Sequence, residues 1–205
     1  MEPFAARVAR PTCYACLRPQ MACYCAELAP MESRPRIVIL MHPLEARHPI
    51  ATGRLAHRAL SNSSLLVGAE FGPHSEAARI VADPSVLPLL LFPGPESQPL
   101  DDGGGRAILD ECDSREIEPV IFVLDATWSL ARKMLHRSPV LQQIRRVSFR
   151  AGARSRFLVR RQPAPECLSS LEAIDRVLRS FGGGLDGALS IFHRMVEFQL
   201  GAKST

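Results

Sequence analysis

Acidic side chains are missing from a long part of this 205-residue chain, although its net charge is only +4. Between Arg132 and Arg161 the sequence has ten Arg and Lys side chains but neither an Asp nor a Glu. Lysine is also scarce, since only Lys133 and Lys203 occur among the 25 basic residues. An arginine-rich genome explains the shortage of lysine, but it does not explain why acids disappear from thirty consecutive residues. The stretch therefore predicts a surface that binds a polyanion.

Long apolar runs are absent as well. The two longest, at 87–92 and 120–124, have the length of a strand and are far too short to cross a bilayer. Residues 1–10 lack the apolar stretch that a secretion signal needs, so we expect a cytoplasmic protein with no membrane partner. An apolar share of 46% excludes an intrinsically disordered chain. We expect the protein to be a monomer.

Cysteine is concentrated in one short segment near the N-terminus. Four of the six cysteines lie within thirteen residues, namely Cys13, Cys16, Cys23 and Cys25. A structural zinc ion takes four thiolate ligands in a tetrahedron, and two turns that each carry a cysteine pair can supply them. A disulfide and an iron–sulfur cluster are the alternatives, but an intracellular chain disfavours the first and no redox motif supports the second. We predict a zinc knuckle over residues 10–30, followed by one larger domain over residues 31–205.

Strand-like and helical patterns alternate along this larger domain. Apolar runs predict strands at 36–41, 65–68, 87–92, 119–124 and 146–149. Helical spacing of apolar residues predicts helices at 52–62, 75–82, 127–136, 170–181 and 185–200. Prolines and three consecutive glycines predict a mobile loop over 94–106. Ser170 is the expected cap of the predicted helix at 170–181. Such alternation favours an α/β fold with a mostly parallel sheet and helices on both faces.

The segment Asp125-Ala126-Thr127-Trp128 comes directly after the most strand-like run. Ligands of open α/β sheets bind beyond the carboxyl ends of strands, which makes this segment the predicted active site. Asp125 is either the cap of the next helix or a functional carboxylate. Trp128, the only tryptophan, is either a core residue or a platform for a nucleobase. The segment alone does not decide between these roles.

With its neighbours, this segment resembles the motif of the DTW-domain family. The stretch LDATWSLARKML at 124–135 carries the resemblance. Further blocks follow the order of the family: the cysteine segment with Arg18-Pro19, HPLE at 42–45, TGRLA at 52–56, LFP at 91–93, RRQP at 160–163 and LSSLEA at 168–173. Ala126 stands where the family often has Gly, and Phe157 stands where Tyr is expected, which removes one hydroxyl.

The resemblance implies a SPOUT-like α/β fold, S-adenosylmethionine (SAM) as the donor and tRNA as the acceptor. The implied reaction transfers the 3-amino-3-carboxypropyl (acp) group to N3 of a uridine and releases methylthioadenosine. An RNA methyltransferase of similar fold remains an alternative, because SAM binding does not fix which carbon is transferred. A zinc-knuckle adaptor that only binds RNA through the basic stretch is a second alternative.

The reaction requires the donor to be positioned so that its methyl group, sterically the easiest carbon to attack, is protected. We expect Asp125 to be a general base or a carboxylate that orients the substrate, and the base role requires burial that raises its pKa. Thr127 is expected to donate a hydrogen bond to uracil, and Trp128 to stack on uracil or close the donor pocket.

The remaining site residues fall into two groups. SAM is expected to contact three loops at the carboxyl edge of the sheet, formed by Leu91, Phe92, Pro93 and Gly94, by Leu124 and Asp125, and by Leu168, Ser169, Ser170 and Leu171. Phosphates are expected to contact basic side chains, namely Arg54, Arg132, Lys133, Arg145, Arg146, Arg150, Arg154, Arg160 and Arg161. Arg54 equally fits a contact with the SAM carboxylate or a solvated helix face.

Overall fold

The apolar runs form the centre of a parallel sheet. The computed structural model describes residues 11–48, 50–150, 152, 155–159 and 167–201. Its strands are β1 (Arg36–Met41), β2 (Ser64–Val67), β3 (Val86–Leu91), β4 (Gln98–Pro99), β5 (Glu118–Asp125) and β6 (Arg145–Ser148). They lie in the order β2-β1-β5-β3-β6-β4, and each neighbouring pair is parallel. The predicted α/β fold with a parallel sheet is confirmed.

Helices pack on both faces of this sheet. They are α1 (Pro43–Ala46), α2 (Thr52–Ala59), α3 (Glu76–Ala82), α4 (Gly104–Arg115), α5 (Trp128–Arg137), α6 (Pro139–Gln142), α7 (Ser170–Ser180) and α8 (Asp186–Gly201). Ile37 and Ile39 pack on one face with α2, α4, α7 and α8, whereas Val38 and Leu40 pack on the other face with α3, α5 and α6. Successive side chains of a strand point to opposite faces, so a strand that is covered twice must be apolar throughout. Within the described residues, no helix is both long and apolar enough to cross a membrane.

The segment 94–106 differs from the expected loop, because it contains β4 and the first residues of α4. Gly103 has a φ of 89°, a left-handed conformation that glycine adopts without steric cost. A Cβ on Gly105 would lie 2.6 Å from the carbonyl carbon of Ser180, so glycine lets α4 approach the end of α7. These glycines therefore start a helix in close contact with another.

The N-terminus of α7 also differs from the expectation, since its cap is Ser169 and not Ser170. The Ser169 hydroxyl accepts a hydrogen bond from the backbone N–H of Glu172. In return, the Glu172 carboxylate accepts one from the backbone N–H of Ser169 at 2.8 Å. This reciprocal capping box satisfies two N–H groups that would otherwise lack partners. It also leaves the Ser170 side chain available for another contact.

Candidate functional site

A cavity of about 650 Å³ lies beyond the carboxyl ends of β3, β5 and β6, beside the first turns of α5 and α7. Its volume is within the usual range for small-molecule sites. Many residues that the sequence predicts for catalysis, SAM binding or RNA binding line it: Leu91, Phe92, Pro93, Leu124, Thr127, Trp128, Arg132, Arg150, Leu168 and Ser170. The fold thus brings together loops that are separated by up to about eighty residues in the sequence.

Aromatic rings form part of the cavity wall. The rings of Phe92 and Trp128 are 6.1 Å apart and inclined at 59°. The guanidinium of Arg146 lies 6.0 Å from the centre of the Phe92 ring. Trp128 is the first residue of α5 and only half-buried, so it is not a core residue. Rings in this position can stack on an adenine or a uracil.

Asp125 does not line the cavity and lies just beneath its wall. Its side chain is buried, and the carboxylate accepts a short hydrogen bond from the hydroxyl of Ser170, which does line the cavity. A Cβ on Gly53 would lie 2.7 Å from Asp125 Cγ, so the second residue of α2 is packed directly against this carboxylate. The backbone N–H of His42 donates to the Asp125 carbonyl at 3.0 Å. Asp125 therefore connects β1, β5, α2 and α7.

The cap of α5 is Thr127, which rules out the reading of Asp125 as the helix cap. The Thr127 side chain makes no capping hydrogen bond, and its hydroxyl lies 3.3 Å from that of Ser129. Thr127 is exposed and lines the cavity. Thr127 can therefore present its hydroxyl to a bound molecule.

Besides Asp125, three residues predicted for SAM binding do not line the cavity. The backbone N–H of Gly94 donates to the Ser97 hydroxyl, Ser169 caps α7, and Leu171 is fully buried in the core. Sequence reasoning missed several lining residues, among them Ser148, Phe149, Cys167, Ala173 and Arg176. Ala173 and Arg176 follow Ser170 at intervals of three residues, so the three lie on one face of α7. This spacing could have predicted both residues from the assignment of Ser170 to the site.

The acid-free stretch is partly neutralised by acids from outside it. Arg145 forms an ion pair with Glu111 at 2.9 Å, and Arg150 forms one with Asp102 at 2.7 Å. Among the other predicted RNA-binding residues, Arg54 donates to the carbonyl of Ala46 at 2.6 Å, and Lys133 is exposed on α5. Arg154, Arg160 and Arg161, which were also predicted to bind RNA, lie outside the described residues.

The four N-terminal cysteines form a compact cluster of free thiols. Their sulfur atoms all lie within 4.8 Å of one another, with 3.9 Å between Cys13 and Cys25 and 3.8 Å between Cys16 and Cys23. A tetrahedral zinc ion with zinc–sulfur distances of about 2.3 Å places its ligands about 3.8 Å apart. The cluster therefore fits a closed four-cysteine zinc site. Disulfide bonds between these residues are not formed.

The electrostatics of the cluster also fit a cation. Backbone N–H groups of Cys16 and Ala15 lower the pKa of the Cys13 thiol to about 6. Burial instead raises the pKa of the Cys25 thiol to about 12, and it raises that of Cys16 as well. A raised pKa favours the protonated thiol. All four cysteines can therefore be thiolates together only with a positive ion among them. Cys16 and Tyr24 belong to the same buried cluster as residues of α2 and α8, which joins the knuckle to the sheet.

Comparison with known proteins places this chain in a family. The DTW domain model matches residues 10–200. The tRNA-uridine aminocarboxypropyltransferase 2 of Drosophila melanogaster is 31% identical over 176 residues, covering 82% of this chain and 66% of the fly protein. The protein of the same name from Mus musculus is 29% identical over 169 residues, covering 80% of this chain and 54% of its own length. The tRNA-uridine aminocarboxypropyltransferase A of Arabidopsis thaliana is 30% identical over 216 residues, covering 93% of this chain and 81% of the plant protein.

The chain spans between half and two thirds of the length of the two animal relatives. No solved structure matches it. The family match extends over almost the whole sequence, and it includes both the cysteine cluster and the segment at the cavity. This chain belongs to the DTW domain family.

Proposed function

We propose that this chain is a tRNA-uridine aminocarboxypropyltransferase that transfers the acp group of SAM to N3 of a uridine in tRNA. The observation that carries the proposal is the position of Thr127 and Trp128 in the wall of a cavity large enough for a small-molecule donor. The names of the fly, mouse and plant relatives support the same reaction. In this reaction N3 loses its proton and attacks the acp carbon, the carbon–sulfur bond breaks, and methylthioadenosine leaves.

The donor site in this proposal lies among three loops, at 91–94, 124–128 and 168–171. Leu91, Phe92, Leu124 and Leu168 supply mostly apolar surface to the cavity, and Ser170 supplies a hydroxyl. Gly94, Ser169 and Leu171 hold these loops from behind. A rigid site of this kind favours reaction at one carbon of the sulfonium, because geometry decides which carbon meets the nucleophile.

Trp128 and Thr127 are proposed to bind the acceptor. Stacking of uracil on the half-buried indole of Trp128, which lines the cavity, stabilises a base that has left its normal stack. The Thr127 hydroxyl is exposed beside the ring, where it can donate to a uracil carbonyl. Together these two contacts orient N3 toward the donor.

Asp125 is proposed to act by positioning. Its carboxylate accepts a hydrogen bond from the hydroxyl of Ser170, which lines the cavity, and it is packed against Gly53. This arrangement favours orientation of the donor over direct removal of the N3 proton. The contact fixes the first turn of α7 relative to the end of β5, and so fixes two of the three donor loops.

The knuckle and the basic side chains complete the proposal. Cys13, Cys16, Cys23 and Cys25 hold a structural zinc ion whose contribution is to the fold. Basic side chains of the acid-free stretch that do not line the cavity, such as Lys133, contact tRNA phosphates together with Arg54. We propose that residues 10–30 and 31–205 act as one unit, as a cytoplasmic monomer, which gel filtration and cell fractionation would test.

The decisive experiment follows the origin of the transferred atoms. The protein is incubated with unmodified tRNA and either SAM labelled in the acp chain or SAM labelled in the methyl group. Digestion and mass spectrometry should find label in a uridine only from the first donor, with methylthioadenosine as the other product. Label from the methyl group would identify an RNA methyltransferase. Binding of tRNA without any binding of SAM would identify an RNA-binding adaptor.

A further inference from the structure

The charged side chains that line the cavity are all positive. Three arginines line it, namely Arg132, Arg150 and Arg176, and none of the described lining residues is an Asp or a Glu. A site for a small molecule that contains three unbalanced positive charges would bind anions and repel cations. The partners of each arginine therefore determine what the cavity can hold.

Two of the three arginines are engaged with acids. Arg150 forms an ion pair with Asp102 at 2.7 Å. Arg176 forms one with Asp101 at 3.2 Å, donates to the carbonyl of Arg150 at 2.8 Å, and lies 4.4 Å from the centre of the Phe149 ring. Each of these two guanidinium groups therefore has an acid beside it, and the further contacts of Arg176 also fix its side chain in the wall of the cavity.

Arg132 differs from the other two. It forms no ion pair with any acid that the structure describes, and it is exposed although it lines the cavity, which places it at the opening. It follows Trp128 by four residues in α5, so both side chains project from the same face of the helix. A positive charge is thus available beside the aromatic wall.

The charge pattern of the proposed donor matches this arrangement at one group only. SAM carries a positive sulfonium, a positive ammonium and a negative carboxylate. Of these three groups, only the carboxylate is attracted by a guanidinium, and a planar guanidinium binds carboxylates through two parallel hydrogen bonds. Without this contact, Arg132 would oppose the binding of a donor whose net charge is positive.

We propose that Arg132 binds the carboxylate of the donor's amino-acid chain. This assignment rests on the proposed function, and it assigns to the donor a side chain that the sequence pattern assigned to RNA. Because the carboxylate belongs to the group that is transferred, the contact positions the acp chain and leaves the methyl group without a comparable anchor. Arg132 is therefore a determinant of which carbon reacts.

The test compares SAM with methylthioadenosine, which lacks the acp chain and, with it, the positive charge of the sulfonium. Calorimetry measures the affinities of SAM and of methylthioadenosine for wild-type protein, Arg132→Gln, Arg132→Lys and Arg137→Gln. Arg137 is a matched control, since it is an exposed arginine of the same helix that does not line the cavity. We expect Arg132→Gln to weaken SAM binding by about 10-fold to 100-fold and to change methylthioadenosine binding by less than about twofold. Arg132→Lys should restore part of the SAM affinity, and Arg137→Gln should change neither.

Other outcomes overturn the assignment. Equal SAM affinity in wild-type protein and Arg132→Gln would remove it and leave the proposed function intact. An equal loss for both ligands would show a general effect on the cavity. Unchanged SAM affinity with weaker tRNA binding would assign Arg132 to a phosphate. Wild-type protein that binds neither ligand would remove the proposed function, and this inference with it.

Discussion

Gly53→Ala tests the contact that holds Asp125 in place. The added Cβ would lie 2.7 Å from Asp125 Cγ and 3.2 Å from Asp125 Cβ, so either α2 or the carboxylate has to move. Overpacking of this kind costs about 1–3 kcal/mol, whereas the better helix propensity of alanine returns at most about 1 kcal/mol. We expect the free energy of unfolding to fall by about 1–2 kcal/mol. Urea denaturation followed by the fluorescence of Trp128 measures this change.

The matched control is Gly187→Ala. Gly187 is the second residue of α8, as Gly53 is of α2, but a Cβ there would meet nothing within 4 Å. Alanine at this position should leave the stability unchanged or raise it by up to about 1 kcal/mol.

Gly53→Ala should also weaken SAM binding, because displacement of Asp125 breaks its hydrogen bond with Ser170 in the cavity wall. Calorimetry with SAM on the folded variant measures this effect. The reasoning would be refuted if Gly53→Ala matched Gly187→Ala in both stability and SAM affinity. That result would mean that α2 does not hold the carboxylate.

Three further predictions concern the carboxylate, the metal and the RNA surface. Asp125→Asn should stay folded, zinc-loaded and able to bind tRNA, while the rate of acp transfer falls by at least about two orders of magnitude. A parallel loss of SAM affinity would indicate the positioning role, and unchanged SAM affinity would indicate a general base. Near-normal turnover would exclude both roles. Purified protein should contain about one zinc per chain by elemental analysis, and Cys23→Ser should lose the metal and stability but retain SAM affinity; protein free of zinc after purification without chelators would contradict this. Lys133→Ala should weaken tRNA binding modestly and reduce the slope of log K against log salt concentration by about one. Arg106→Ala, which changes an exposed residue of α4, is the control. An equal salt dependence of tRNA binding in both variants would show that Lys133 is solvated and does not contact a phosphate.

The acid-free stretch illustrates how a fold modifies a sequence signal. Counted along the chain, its positive charge has no compensation between Arg132 and Arg161. In the structure, Asp101, Asp102 and Glu111 come from the region around α4 and pair with arginines of the stretch or of α7. The basic surface that remains for a polyanion is therefore smaller than the sequence indicates, and it includes exposed side chains of α5 such as Lys133.

Local patterns determined much of this protein. Unbroken apolar runs predicted the central strands, because a parallel strand covered on both faces cannot alternate with polar residues. The four cysteines predicted their own cluster, since their short spacing leaves little freedom for any other arrangement. The place of Thr127 and Trp128 at the carboxyl edge followed from the order of strand, motif and helix.

Tertiary contacts decided the rest, because they depend on residues that are distant in sequence. The glycines at 103–105 lie at the start of α4, where Gly105 packs against Ser180 at the end of α7. Ser180 is distant in the sequence, so no local pattern reveals this contact. Asp125 lies beneath the cavity wall, where α2 and α7 both pack against it, and its hydrogen bond with Ser170 connects it to the site. Of the three arginines that line the cavity, Arg150 and Arg176 pair with Asp102 and Asp101. Arg132 has no acid partner among the described residues.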